Sequence, residues 1–272
     1  MRSGDSATGE RLSGAWNFRD VAQCAGIIPG RLFRSSELCK LDDHGRRALV
    51  EIGVTDVADL RSPTEVARRG AGAVPDGVTV LNLPFPEVSH SHDGAQEAPH
   101  ESSWNSMMTE YSEEDPAEAA LRWMTQEYER FPTLPGAMRA VNRIATLVAD
   151  GRPTLVHCFA GKDRTGFALA VVLEAAGVSR DAIVADYLRS NDAVAPLRDS
   201  ILSTMRTREG MTDEVLSFAE SRLTDEVLGV REQYLLSARR VLDETHGGLA
   251  GYLRAARVSD EDVARLRARL VG

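Results

Sequence analysis

Cys158 and Arg164 stand six positions apart in the stretch His157-Cys158-Phe159-Ala160-Gly161-Lys162-Asp163-Arg164-Thr165-Gly166. Together they suit one chemistry, the transfer of a phosphoryl group through cysteine. The cysteine thiolate is a strong nucleophile, and arginine presents a planar fork of donors that binds two phosphate oxygens at once, which lysine cannot do. The five residues between them can form a cradle of phosphate size. Pro153-Thr154-Leu155-Val156 before the loop is an apolar run suited to a buried strand, and residues 166–173 read as a buried helix. A strand-to-helix turn points backbone N–H groups inward at the positive end of the helix dipole, a ready anion site. Phe159, Ala160, Gly161, Lys162, Thr165 and Gly166 are therefore expected to bind the substrate phosphate, and the same amides favour the thiolate of Cys158.

Thr165 carries a hydroxyl that can donate to the sulfur when a phosphocysteine intermediate is hydrolysed. His157 precedes the nucleophile on the strand, so its side chain points away from that of Cys158. It either orients the loop through hydrogen bonds or is a satisfied core histidine. A lone Cys-x5-Arg recurs by chance, and a buried structural cysteine is the ordinary case. The strand, the helix, two loop glycines and the Arg-Thr-Gly ending set this one apart from that background.

The string His-Cys-x5-Arg-Thr-Gly resembles the signature of the cysteine-dependent protein tyrosine phosphatase superfamily, and the whole loop is similar to that of the mycobacterial secreted tyrosine phosphatase B group. Residues 14–20 (Gly-Ala-Trp-Asn-Phe-Arg-Asp), 30–38 (Gly-Arg-Leu-Phe-Arg-Ser-Ser-Glu-Leu), 58–62 and 183–192 share the likeness, so it covers nearly the whole chain. The resemblance implies an α/β fold with a central, mostly parallel sheet flanked by helices and a helical C-terminal lid over about residues 196–236. It also implies activity on phosphotyrosine, phosphoserine, phosphothreonine and phosphoinositides, and export without a classical signal peptide.

Lys162 either meets a second phosphate on a substrate ring, as the resemblance implies, or is a solvated surface lysine. Asp163 is either the general acid that protonates the leaving oxygen, a role given to the loop aspartate in the resembling group, or an ion-pair partner for a neighbouring base. Glu87, after Leu83-Pro84-Phe85-Pro86, is the rival acid. Arg61 ends a strand, where open α/β sheets gather ligand contacts, so it reaches the phosphate or pairs with Asp59.

At 272 residues and 43% hydrophobic, the chain suits a single phosphatase domain spanning 1–272. Its net charge of -9 speaks against nucleic acid and anionic membranes. Three cysteines, Cys24, Cys39 and Cys158, show no disulfide spacing, which fits a reducing cytoplasm. Cys24 and Cys39 read as small hydrophobes, or as partners for a reversible disulfide with Cys158. No apolar run reaches the 18 or so residues of a membrane helix, and the first ten residues lack the apolar core of a secretory signal. A soluble monomer is expected, with no metal and no cofactor.

Residues 52–60 and 78–83 read as strands, and 41–52 as a helix closed by Gly53. Ser62-Pro63-Thr64-Glu65 combines an N-cap, a first-turn proline and a capping-box glutamate. Residues 87–116, rich in Ser, Glu, His and Asp, read as a mobile acidic insertion, whose His90, His92 and His100 are too few for a metal site. Residues 116–130 and 134–149 read as amphipathic helices, and Thr212, Thr224 and Ser259 as caps of later ones. The lid region can equally be an ordinary helical layer. The leading function is a broad-specificity tyrosine phosphatase; a lipid phosphatase and a catalytically silent phosphate reader are the alternatives, and a reader has no use for the nucleophile.

Overall fold

In the computed structural model, which describes residues 12–85, 115–207 and 212–272, the run Thr154–His157 is the middle strand of a five-stranded sheet. In chain order the strands are β1 (Arg19–Asp20), β2 (Leu32–Ser35), β3 (Asp56–Asp59), β4 (Thr79–Asn82) and β5 (Thr154–His157). Their order in space is β1-β2-β5-β3-β4. β1 runs antiparallel to β2, and all other pairs are parallel. Successive side chains leave a strand on opposite faces. Phe33, Val57 and Leu155 accordingly pack on one face with Leu38, Leu41, Leu49 and Val54, while Leu32, Ala58 and Val156 join the larger core on the other. A sheet buried on both faces is what parallel strands require.

The helices are α1 (Ala22–Ala25), α2 (Asp43–Glu51), α3 (Pro63–Arg69), α4 (Pro116–Arg130), α5 (Pro135–Ala149), α6 (Asp163–Ala175), α7 (Arg180–Leu188), α8 (Val194–Arg206), α9 (Asp213–Arg222), α10 (Asp225–Leu228), α11 (Glu232–His246), α12 (Leu249–Ala255) and α13 (Asp260–Leu270). α2 contributes Leu49 to the smaller core. The larger core takes side chains from α1, from α4 to α8 and from α10 to α13.

Several boundaries differ from the sequence reading for local reasons. α2 starts at Asp43 because Asp42 caps it, its Oδ1 accepting from the Gly45 amide at 2.8 Å. β3 starts only at Asp56, since Gly53 turns the chain at φ +79° and the amides of Gly53 and Val54 bond back to Val50 and Leu49. The Ser62–Glu65 capping box forms, as does one between Ser259 and Asp262. Thr224 precedes α10 without a side-chain cap bond. Pro116 opens α4 behind its cap Asp115, at the residue where the sequence reading starts that helix. Glu87, His90, His92 and His100 lie outside the described residues. The expected lid stretch begins inside α8 and ends inside α11, and its Val227, Leu228 and Val230 belong to the larger core. Among the described residues no helix is long and apolar enough to cross a membrane.

One polar cluster is built into the sheet. Arg19 and Arg34 are directly opposed across β1 and β2, an arrangement that repels unless an anion sits between them. Asp186 of α7 supplies it, with Oδ1 2.8 Å from Arg19 Nε and Oδ2 2.6 Å from Arg34 Nη1. All three are buried. Burial acts to raise the Asp186 carboxyl, but the attraction of Arg34 and Arg19 outweighs it and leaves the group below the usual carboxylate range. Such a group contributes stability above its unfolded pKa of about 3.9 and loses it as pH falls through the lower folded value. Asp186→Asn is expected to cost about 3–5 kcal/mol at neutral pH. The gap to wild type, read by denaturant titration, should close as pH drops below about 4. A gap unchanged down to pH 3 would show that the carboxylate charge is not the stabilising feature.

Candidate active site

β5 ends at His157 and α6 begins at Asp163, so Cys158 to Lys162 form the turn between them. Four successive carbonyls of this turn are held from behind. Cys158 O accepts from His157 Nδ1 at 3.0 Å, and Phe159 O from the Glu37 amide at 2.9 Å. Ala160 O accepts from Asn17 Nδ2 at 3.1 Å, and Gly161 O from Asn17 Nδ2 at 3.0 Å and Arg34 Nη2 at 2.6 Å. The peptides are trans, so each planar unit whose C=O is fixed on the outside sends the following N–H the opposite way. The amides of Phe159, Ala160, Gly161 and Lys162 therefore turn inward, and none is taken by another group among the described residues. The first turn of α6 adds the amides of Asp163, Arg164 and Thr165.

Gly166 departs from expectation. Its amide donates to Lys162 O at 2.7 Å as an ordinary rung of α6, so it is not a phosphate donor. Its lack of a side chain serves packing, because a Cβ would stand 2.7 Å from the Tyr187 ring. Gly161 is held to glycine more strictly: at φ +67°, a Cβ would lie 2.0 Å from Ser35 O at the end of β2.

Cys158 is buried on the larger-core side. His157 is fully buried beneath the loop, and burial lowers its pKa, so the ring is neutral. With its proton on Nδ1, donated to Cys158 O, the bare Nε2 sits 3.8 Å from Asp59 Oδ1 without a hydrogen bond. His157 thus orients the loop. The expected bond from Thr165 to the sulfur is not formed, since its buried Oγ1 has no partner among the described residues.

Arg164 forms a two-pronged pair with Glu65, Nη1 to Oε2 at 2.7 Å and Nη2 to Oε1 at 2.8 Å. The capping-box carboxylate that starts α3 also fixes the guanidinium of the phosphate loop. Arg61 is a correction: fully buried, it donates Nε and Nη2 to Asp59 and Nη1 to Glu37 and Gly70 O, so the ion-pair reading replaces the phosphate contact. The Phe159 ring lies under the Arg69 guanidinium, 4.3 Å from its centroid, and meets Trp16 edge-on. Ala160 is buried against the core.

Lys162 is not solvated. It is 5% exposed, and Nζ donates to Val227 O at 2.8 Å, to Gly229 O at 3.2 Å and to Asp163 Oδ1 at 3.1 Å. Asp163 Oδ1 also accepts from the Tyr128 hydroxyl at 3.0 Å. That commits the single Tyr128 proton, so in the 2.6 Å contact between the two tyrosines Tyr187 is the donor. Burial raises both phenols well above their usual range, and they remain protonated donors.

Sequence reasoning did not single out Asn17, Arg34, Glu37, Tyr128, Tyr187 or Asp186, and it read Glu65 as a cap only. The available signal was that Asn17, Arg34, Glu37 and Asp186 all fall within the segments outside the loop that carried the family likeness.

A model of the tyrosine phosphatase family matches residues 10–272. The chain is 54% identical to the triple specificity protein phosphatase PtpB of Mycobacterium tuberculosis, over 96% of this chain and 98% of that one. It is 29% identical to a tyrosine-protein phosphatase of Nostoc commune, over 93% of this chain and 78% of the relative. Matched along nearly its whole length, and carrying a cysteine and an arginine on a loop whose amides converge on one point, the chain belongs to the tyrosine phosphatase family and is a phosphatase.

Proposed function

We propose that the chain hydrolyses phosphotyrosine, and also phosphoserine, phosphothreonine and phosphoinositides, through a phosphocysteine intermediate and without a cofactor. The observation that carries this reading is the row of four outward-held carbonyls beside Cys158. Cys158 Sγ attacks phosphorus while the bond to the leaving oxygen breaks, and Asp163 gives that oxygen its proton. The loop amides and Arg164 hold the other oxygens as charge develops. Water then attacks the phosphocysteine, Asp163 takes its proton, and orthophosphate leaves with the thiolate restored. Breadth of substrate is supported by the name and 54% identity of the Mycobacterium tuberculosis relative.

Residues 196–236 serve as the lid in this reading. Support comes from Lys162, which ties the loop to Val227 and Gly229, and from Asn191, whose Nδ2 and Oδ1 clamp the backbone of Val230. A lid must open for substrate.

Cys158→Ser should abolish phosphate release from phosphotyrosine peptides, phosphoserine peptides and phosphoinositides alike, in the presence of a chelator. Retained release would exclude the cysteine mechanism. Asp163→Asn should lower turnover of phenyl phosphate by about 100-fold to 10,000-fold, and that of an activated nitrophenyl ester much less. An equal loss on both would pass the acid role to Glu87, which Glu87→Gln then tests. Hydrogen exchange at residues 225–230 should quicken when tungstate occupies the loop; unchanged protection would count against a moving lid.

A further inference from the structure

We propose that Arg34 is a positioning residue for the phosphate loop, acting through the Gly161 carbonyl and placing an uncompensated buried cation behind the cradle, where it holds a bound oxyanion. This deepens the phosphatase reading and rests on it.

The geometry is direct. β2 lies beside β5, with Arg34 in register with Val156, two residues before the nucleophile. Arg34 Nη2 donates to Gly161 O at 2.6 Å, and also reaches Ser190 Oγ at 3.1 Å and Lys162 O at 3.4 Å. Holding the Gly161 carbonyl outward is what turns the Lys162 amide inward. The side chain is 1% exposed, so its field is little screened by water or salt.

Among the described residues, each cation that touches the loop has a carboxylate beside it that it need not share with an opposed arginine, except here. Arg164 is matched by Glu65 and, while its carboxylate is ionised, Asp163 matches Lys162. Arg61 and Arg69 face Asp59 and Glu37. Arg19 and Arg34 share the single carboxylate Asp186, while the other side chains that bond the pair, Asn17 and Ser190, are neutral. One positive charge is left over beside the loop carbonyls, to be answered by the Cys158 thiolate or, in Cys158→Ser, by a bound anion alone. Arg34 Nε, moreover, is buried with no hydrogen-bond partner among the described residues. A fold that needed only a scaffold would gain nothing from a second arginine opposite Arg19; an anion bound in the loop does.

The test is calorimetric binding of tungstate to the Cys158→Ser protein, alone and with Arg34→Met, Arg34→Lys or Asp186→Asn added. Arg34→Met should weaken binding roughly tenfold or more, the scale of one buried unit charge at an effective dielectric of about 20. Arg34→Lys, which keeps the charge, should recover most of that loss. Asp186→Asn removes the anion and should bind tungstate at least as tightly as the parent, although the protein is less stable. A purely structural role would make Asp186→Asn as harmful to binding as Arg34→Met, and that result would overturn the proposal, as would unchanged binding by Arg34→Met. If Arg34→Met does not fold, the signs for Arg34→Lys and Asp186→Asn decide. Failure of the Cys158→Ser parent to bind tungstate would sink the phosphatase reading itself, and the Arg34 role with it.

Discussion

A backbone can aim four consecutive N–H groups at one anion only if the four carbonyls facing the other way are satisfied there, because buried carbonyls do not stay unpaired. This constraint organises the molecule. The partners come from four places in the chain: Asn17 before β1, Arg34 on β2, Glu37 after β2, and His157 on β5. They converge because β5 is the middle strand, with β2 on one side and β3 on the other. The carboxyl ends of parallel strands then open at one edge, where open α/β sheets collect their ligands. From the β3 side the same edge receives Glu65, which fixes Arg164.

The anion site is thus assembled largely from groups that never touch the anion. Charge is handled in the same way. Most cations near the loop are held by carboxylates, which keeps their geometry fixed and their field small. Arg164 is the clearest case: its two-pronged pair leaves the guanidinium plane preset, so little rotamer entropy is lost when phosphate arrives.

Much of this was legible in the sequence. The strand, the loop and the buried helix around Cys158 were readable from apolar patterning, and Ser62 with Glu65 from capping chemistry. What escaped the reading depends on partners far away in the chain. Arg61 at a strand end is readable, but whether it meets phosphate or Asp59 is decided by how Glu37, 24 residues earlier, folds against it. Lys162 reads as a substrate contact or a surface lysine, not as a buried one, because its acceptors, Val227 and Gly229, lie 65 and 67 residues on. Gly166 looked like a loop glycine, whereas its constraint comes from the Tyr187 ring on a different helix. The Arg19–Asp186–Arg34 cluster spans the first and second strands and a helix beyond the loop, and no local period announces it.

Lys162 joins these levels. A buried ammonium needs its three protons accepted, and here the Val227 and Gly229 carbonyls and Asp163 do so. Phosphate oxygens are stronger acceptors than peptide carbonyls, because the hydrogen bond is then assisted by charge on both sides. Under the proposed function, a substrate bearing a second phosphate can therefore take over the lysine protons that tie Val227 and Gly229 to the loop. Under the lid reading, closing the site and recognising a doubly phosphorylated ring draw on the same three donors, so the two states exchange one set of bonds for another and the ammonium is never left bare.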